Sequence, residues 1–151
     1  MCGIAGFYGD INKKQSVSTL KHMLTRIKHR GPDQSGVYVS DYVGLGSVRL
    51  SIIDLSLGTM PISNQDNSLW IVFNGEIYNH MELREDLIQK NHSFKTRSDT
   101  EVILHLYEEY GPECLKKLNG QFAIAIWQGI VLGSGLYFTP KPRVLLSLLP
   151  K

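Results

Sequence analysis

The order of the predicted elements indicates a mixed α+β fold in which strands and helices are segregated along the chain. A short glycine-rich apolar run at residues 3–9 predicts an opening strand, and an amphipathic helix follows it. Several strands, two helices and a last strand come after, without the regular alternation of a parallel βαβ fold. No internal repeat or linker divides the chain, and 151 residues suffice for one hydrophobic core.

The first half of the chain predicts one helix followed by short strands. Ser16 is suited to cap a helix that runs to about residue 28, where Gly31 and Pro32 end it. Strands are expected at 37–39 and 43–48, with a further extended piece at 50–54. The stretch 56–68 is rich in Ser, Gly, Asn, Pro and Asp and predicts a loop.

The second half predicts strands at 69–73 and 121–127 around two helices. Residues 69–73 combine β-branched and aromatic side chains, which is typical of a buried strand. Asn79 with Glu82, and Ser98 with Glu101, have the spacing of capping boxes that begin helices. Gly111 ends the second helix, and 113–119 predicts one more helical turn.

Composition excludes several classes of function. The net charge is +2, with scattered Lys and Arg, which argues against nucleic-acid binding. A membrane helix needs about 20 apolar residues, whereas the run at 122–127 has six. No signal peptide precedes residue 2, so a cytoplasmic location is expected. The five histidines and two cysteines lack metal-ligand spacing, and we expect no metal site.

Cys2 is a candidate nucleophile. Removal of the initiator methionine would leave a thiol and a free α-amine on one residue. An α-amine has a reference pKa of ~7.7–8.0, close to the ~8.5 of a thiol, so the neutral amine can accept the thiol proton. The alternative is that Cys2 is only the first residue of a buried strand.

Three further positions have both an ordinary and a chemical interpretation. Asn74-Gly75 after an apolar strand is typical of a hairpin turn, but its side-chain amide and backbone N–H also have the composition of an oxyanion hole. Arg49 is either a surface arginine or a bidentate partner for a carboxylate. Asp99 either favours a helix N-terminus or accepts a substrate ammonium group.

Six sequence blocks in this order resemble the class II glutamine amidotransferase domain. Within that family they most resemble the N-terminal glutaminase half of glutamine-hydrolysing asparagine synthetase, over residues 1–127. The blocks are Met-Cys-Gly-Ile at 1–4, His-Arg-Gly-Pro-Asp at 29–33, Arg-Leu-Ser-Ile-Ile-Asp at 49–54, Phe-Asn-Gly-Glu-Ile-Tyr-Asn at 73–79, Ser-Asp-Thr-Glu at 98–101 and Leu-Asn-Gly-Gln-Phe-Ala-Ile-Ala-Ile-Trp at 118–127.

The resemblance implies a four-layer αββα sandwich of the N-terminal-nucleophile hydrolase type. It also implies glutamine as substrate, Cys2 as the nucleophile that forms a glutamyl thioester, and Asn74 and Gly75 as the oxyanion hole. Arg49 is implied to bind the α-carboxylate of glutamine, and Asp99 its α-amine. Further glutamine contacts are implied for Ile52, Ile53 and Glu76. Residues 29–33 are implied to close over the site.

The resemblance ends after Trp127. It therefore implies a domain at 2–127 and a departing tail at 128–151, whose 24 residues include no Asp, Glu or His. A shifted reading frame or a genuinely divergent terminus could each explain the tail, and the sandwich is expected to be incomplete there, with unpaired strand edges.

The resemblance does not extend to a synthetase half after residue 127, and we expect the chain alone not to make asparagine. The domain itself implies no cofactor, since ATP and Mg²⁺ would belong to a synthetase domain or subunit that accepts the ammonia. Two alternatives to an active glutaminase stay open. One is an inactive truncated remnant, and the other is the glutaminase part of an amidotransferase that makes amino sugars or cell-surface sugars.

Overall fold

The computed structural model describes residues 2–9, 12–50, 60–129 and 143–149. Within these ranges the chain forms seven strands and three α-helices, with short 3₁₀ helices at Lys28–Arg30 and Gly111–Lys117. The elements are β1 (Gly3–Tyr8), α1 (Lys13–Ile27), β2 (Gln34–Val39), β3 (Val43–Arg49), β4 (Ile62–Ser63), β5 (Leu69–Ile77), α2 (His80–Gln89), α3 (Asp99–Tyr110), β6 (Gly120–Gln128) and β7 (Arg143–Leu149).

Two antiparallel sheets face each other. One has the strand order β1-β3-β2, and the other has the order β4-β5-β6-β7. Aromatic side chains join them at one end of the sandwich. Tyr38 of β2 stacks on Trp70 of β5 with ring centroids 4.1 Å apart, and Tyr8 of β1 lies 6.2 Å from Trp127 of β6.

Helices cover the outer face of each sheet. The buried residues Leu20 and Leu24 of α1 lie against Gly46 of β3, where a side chain would displace them. On the other side α3 packs on β5 and α2 packs on α3. Their fully buried residues include Leu87 and Ile103. The four layers α-β-β-α confirm the predicted fold class.

Met60 links the two sheets through its backbone and its sulfur. Its carbonyl oxygen accepts a 2.8 Å hydrogen bond from the Ser47 hydroxyl of β3. Its sulfur accepts the backbone N–H of Phe73 of β5 at 3.3 Å. The Ser47 position of the first sheet therefore lies opposite the Phe73 position of the second. Met60 belongs to the stretch predicted as a loop, which in its described part also contains β4.

Three predicted element boundaries are wrong. Strand β2, predicted at 37–39, begins at Gln34. The helix α1 begins at Lys13, so Ser16 lies inside its first turn, with its hydroxyl bonded to the Asn12 carbonyl at 3.1 Å. Strand β5 does not end at residue 73 but pairs with β6 as far as Ile77. The hairpin interpretation of Asn74-Gly75 is thereby excluded, because both residues lie inside a ladder and α2 follows.

The two predicted capping boxes form differently. Ser98 caps α3 and accepts the Thr100 N–H at 3.1 Å. Asn79 makes no side-chain cap on α2, because its amide bridges to the Lys117 carbonyl and the Asn119 N–H. Asn79 therefore holds the start of α2 to the segment that leads into β6.

The tail contributes a strand that the sequence did not predict. Strand β7 pairs antiparallel with β6, from Phe122↔Leu149 to Gln128↔Arg143. The sequence predicted an unpaired strand edge, and for β6 that prediction is wrong because β7 pairs with it. Most of the extended piece at 50–54 lies outside the described residues. None of the described helices combines the length and apolarity needed to cross a membrane.

Packing of α3 predicts that two isoleucine-to-alanine substitutions lower the free energy of unfolding by very different amounts. Ile103 is fully buried, whereas Ile88 of α2 is 53% exposed. We expect Ile103→Ala to lower the free energy of unfolding by about 2–5 kcal/mol, because it removes packed methyl groups and leaves a cavity. Ile88→Ala should change it by less than about 0.5 kcal/mol. Urea denaturation of both variants measures the difference, and equal losses would contradict the packing of α3 on the second sheet.

Candidate active site

Cys2 directly precedes β1, and the alternation of that strand, continued by one residue, places it on the face toward the second sheet. Side chains alternate along a strand, so Cys2 shares a face with Ile4 and Tyr8. Ile4 packs against the core and Tyr8 meets Trp127 of the second sheet. Cys2 is partly buried, and its carbonyl oxygen accepts a 3.2 Å hydrogen bond from Nε of Arg30.

Arg49 ends β3 beside Cys2. Gly3 pairs with Val48, so Cys2 and Arg49 are the next residues along the two neighbouring strands. Arg49 is partly buried, and its carbonyl oxygen accepts the Asp33 N–H at 3.1 Å.

The block at residues 29–33 packs on this end of the sheet. A side chain added at Gly31 would lie 2.5 Å from the Arg49 backbone nitrogen, so glycine is required for this close approach. Arg30 and Asp33 bond to the backbones of Cys2 and Arg49, respectively. The block therefore borders the candidate nucleophile, and the Arg30 contact is one that the sequence did not predict.

Asn74 and Gly75 lie near the end of β5. Alternation places Asn74 on the same face as Trp70, which stacks on the first sheet. Gly75 pairs with Phe122 of β6, where an added side chain would lie 2.6 Å from the Phe122 Cα. The β5 and β6 backbones thus approach too closely here for any residue but glycine.

The two halves of the candidate site lie at the same end of the sandwich. Arg49 is two positions beyond Ser47, and Asn74 is one position beyond Phe73, which Met60 holds opposite Ser47. Strands β1 and β5 approach within 8 Å between Cα atoms. Cys2 and Asn74 therefore lie on the facing sides of the two sheets, at the end opposite the aromatic pairs.

Asp99 of α3 lies at the same end of the sandwich, beside the end of β5. It is the first residue of the helix, and its carboxylate accepts the Ile77 N–H at 3.3 Å. Burial raises the pKa of Asp99, and the nearby Glu76 carboxylate adds to the rise. The Ile77 hydrogen bond and the proximity of His80 act in the opposite direction. Asp99 is thus a carboxyl whose charged form its surroundings disfavour.

Glu101 fixes the segment that leads into Asp99. Its side chain is buried, and its carboxylate accepts the N–H groups of Lys95 and Thr96 at 2.8 and 2.7 Å. It also accepts the Thr96 hydroxyl at 2.6 Å. The sequence assigned Glu101 to a capping box and missed this role, because the spacing to Ser98 is the same in both arrangements.

Most predicted site residues meet at this end of the sandwich. Ile52 and Ile53 lie outside the described residues. The first sheet contributes Cys2 and Arg49, and the second sheet with α3 contributes Asn74, Gly75, Glu76 and Asp99.

A family profile described as "Glutamine amidotransferase domain" matches residues 1–131 of this chain. The chain belongs to the glutamine amidotransferase domain family. Because residues 1–131 include both halves of the cluster, the whole candidate site falls within the family domain.

Curated relatives of this glutamine amidotransferase domain include asparagine synthetases. It is 46% identical over 130 residues to asparagine synthetase [glutamine-hydrolyzing] 1 of Bacillus subtilis, covering 84% of this chain and 21% of that protein. It is 43% identical over 127 residues to asparagine synthetase [glutamine-hydrolyzing] 3 of Arabidopsis thaliana, covering 83% and 22%. The chain spans about a fifth of the length of these relatives.

A solved structure shares the fold of the domain. The glutamine phosphoribosylpyrophosphate amidotransferase from B. subtilis, complexed with ADP and GMP, superposes with a TM-score of 0.70 at 20% identity. The match covers 85% of this chain and 35% of that protein. The four-layer αββα fold expected from the resemblance is therefore confirmed.

The raised pKa of Asp99 predicts a pH-dependent effect of its amide variant. A carboxyl with a higher pKa in the folded state binds more protons there, so it favours folding at low pH and loses that benefit as pH rises through the folded-state pKa. We expect Asp99→Asn to unfold at a higher urea concentration than the parent near pH 7. The difference in urea midpoint between variant and parent should disappear as the pH falls toward 3.8, the ordinary pKa of an aspartate. Asp86→Asn on α2 is the control, and a destabilising Asp99→Asn at pH 7 would contradict the expectation.

Proposed function

We propose that this domain hydrolyses the side-chain amide of glutamine at Cys2, which gives glutamate and ammonia. The observation that supports this most directly is the position of Cys2 and Asn74 at the same end of facing sheets, in a chain of the glutamine amidotransferase family. A nucleophile and an amide donor on opposite sides of the substrate are what attack on a carboxamide requires.

The first step requires a free α-amine on Cys2, which removal of Met1 would supply. The amine takes the thiol proton, and the thiolate sulfur forms a bond to the carboxamide carbon of glutamine. The carbonyl oxygen becomes an oxyanion in this step. The side-chain amide of Asn74 and the backbone N–H of Gly75 donate hydrogen bonds to it, where such preorganised donors are most effective.

The second step releases ammonia and then glutamate. The protonated amine of Cys2 gives its proton to the departing nitrogen as the C–N bond breaks, which leaves a glutamyl thioester. A water molecule then attacks the thioester, with the neutral amine as its base. The C–S bond breaks, the thiol recovers its proton, and Cys2 returns to its starting state.

Substrate binding uses charges at both ends of the glutamine backbone. Arg49 is suited to a bidentate contact with the α-carboxylate. Asp99 is suited to the α-ammonium group, because a cation would offset the unfavourable burial of its charge. The backbones of Ile52 and Ile53, and the Glu76 position, supply the remaining contacts in this proposal.

We propose that the domain at 2–127 passes its ammonia to an asparagine-forming partner. The supporting observation is identity of 43–46% to glutamine-hydrolysing asparagine synthetases that are about five times longer. ATP and Mg²⁺ would bind in that synthetase domain or subunit. The proposal thus makes the chain part of a cytoplasmic ligase for amino-acid biosynthesis.

We also propose that the tail at 128–151 results from a shifted reading frame. The genomic DNA beyond codon 127, read in the other frames, tests it. In the resembling family an Arg-Asp-x-x-Gly-x-x-Pro-Leu-Tyr block follows this point, and we expect another frame to restore it. Absence of the block from every frame would contradict the shifted reading frame.

Replacement of Cys2 tests the nucleophile. We expect the purified chain to release glutamate from glutamine once mass spectrometry shows that Met1 is gone, and Cys2→Ala to release none above background. Cys114→Ala is the matched control, because Cys114 is buried and burial raises the pKa of its thiol to about 11. Equal rates in parent and Cys2→Ala would exclude the proposed enzyme, and a chain that retains Met1 should be as inactive as Cys2→Ala.

Replacement of Asn74 tests the oxyanion hole. Loss of one oxyanion donor lowers kcat by about 10²–10³-fold, so we expect Asn74→Ala to lose that much with little change in KM. Asn91→Gly is the control, because Asn91 is exposed and has a φ of 69° that glycine adopts freely. A raised KM with unchanged kcat would instead assign Asn74 to ground-state binding.

A further inference from the structure

Two histidines and a glutamate converge away from the candidate active site. His105 and Glu108 lie one turn apart on α3, and His92 lies in the segment after α2. The two Nδ1 atoms are 3.1 Å apart. Oε2 of Glu108 lies 2.7 Å from Nδ1 of His105 and 3.7 Å from Nδ1 of His92.

Hydrogen bonds alone cannot pair all three converging atoms, which are Nδ1 of His92, Nδ1 of His105 and Oε2 of Glu108. Nε2 of His92 lies 2.8 Å from a carboxylate oxygen of Glu109, which favours a proton on that nitrogen. Neutral His92 then presents a lone pair at Nδ1. One proton on Nδ1 of His105 must serve both this lone pair and the Glu108 carboxylate, while Nε2 of His105 stays buried without a hydrogen-bond partner. A cation at the centre would accept a lone pair from each of the three atoms.

The spacing fits a small tetrahedral ion. Zinc binds nitrogen and oxygen ligands at about 2.0–2.2 Å, which separates two ligands of a tetrahedral site by roughly 3.3–3.6 Å. The three distances here, 2.7, 3.1 and 3.7 Å, bracket that range. Two imidazoles and one carboxylate, with one position left for water, form a ligand set that zinc uses in proteins.

The surroundings orient the three side chains toward one point. Glu109 holds the outer nitrogen of His92, as carboxylates commonly do for metal-binding histidines. The side-chain amide of Asn64 donates to the second oxygen of Glu108 at 2.9 Å, which leaves Oε2 facing the histidines. A cavity of about 530 Å³, lined in part by His92, Glu108 and Ser68, borders the cluster and gives water access to a fourth position.

We propose that His92, His105 and Glu108 bind a divalent transition-metal ion of the zinc type, with water from the adjacent cavity as its fourth ligand. The ion would tie the segment after α2 to the middle of α3. This site is independent of Cys2 and of the proposed glutaminase reaction. The absence of an HExxH spacing therefore does not exclude a metal site, because the fold brings together residues 13 positions apart in sequence.

The test is metal binding by the full chain with Cys2→Ala as background, which removes the thiol that could chelate zinc together with the N-terminal amine. Cys114 does not compete, because burial raises the pKa of its thiol to about 11 and keeps it protonated. After treatment with EDTA and its removal, calorimetric titration with Zn²⁺ should give one site. Co²⁺ should bind at the same place and show the visible absorption bands of a tetrahedral complex.

Four variants assign the site. We expect His92→Gln and Glu108→Gln each to weaken Zn²⁺ binding by more than about 100-fold, because each removes a direct ligand. Glu109→Gln should weaken it by about 10–100-fold through His92. His22→Gln on α1 is the matched control, because His22 is exposed on another helix, and it should bind as the background does.

Thermal melting with and without Zn²⁺ separates lost binding from lost folding. The background and His22→Gln should melt at a higher temperature with Zn²⁺, whereas folded His92→Gln and Glu108→Gln should show no shift. Absence of Zn²⁺ binding by the folded background would overturn the site. Binding that persists unchanged in folded His92→Gln and Glu108→Gln would also overturn it. Neither result bears on glutamate release by the parent chain, so the metal site and the proposed glutaminase activity are tested independently.

Discussion

The attachment of Met60 to both sheets is the constraint on which the candidate active site depends. A sandwich of two sheets can slide along its strands, and aromatic contacts at one end leave the other end to be aligned. Met60 binds Ser47 on one sheet and Phe73 on the other, so the ends that carry Arg49 and Asn74 meet. Ser47 and Met60 are both buried, which strengthens these bonds in a low-dielectric interior.

Local sequence signals predicted the kinds of element better than their ends. The apolar run at 69–73 was correctly predicted as a buried strand, but β5 continues through Asn74 and Gly75 because β6 is available to pair with it. No local pattern distinguishes a turn-forming Asn-Gly from one held in a ladder. Asn79 likewise had capping spacing, yet its amide bonds to residues about 40 positions away. Such partners exist only in the folded chain.

The candidate site could be proposed from the sequence because its residues lie in short blocks that resemble a known domain. Cys2, Arg49 and Asn74 each had an ordinary explanation when taken alone. The cluster of His92, His105 and Glu108 had no comparable signal, since His92 is separated from the helix that carries the other two. Glu101 shows the same limit: its spacing to Ser98 fitted a cap, whereas its carboxylate binds backbone N–H groups before the helix. Sequence spacing gives candidates, and tertiary structure decides which partners they meet.

Helix α3 connects the two sites physically. Its first residue, Asp99, faces the candidate active site, and its middle carries His105. Glu101 lies between them, with one oxygen bonded to the Lys95 N–H and the same oxygen 3.9 Å from Nε2 of His105. Glu101 thus lies between the segment before Asp99 and the ring of His105. Because Asp99 and His105 belong to one helix with a buried middle, α3 fixes the distance between the candidate active site and the histidine cluster.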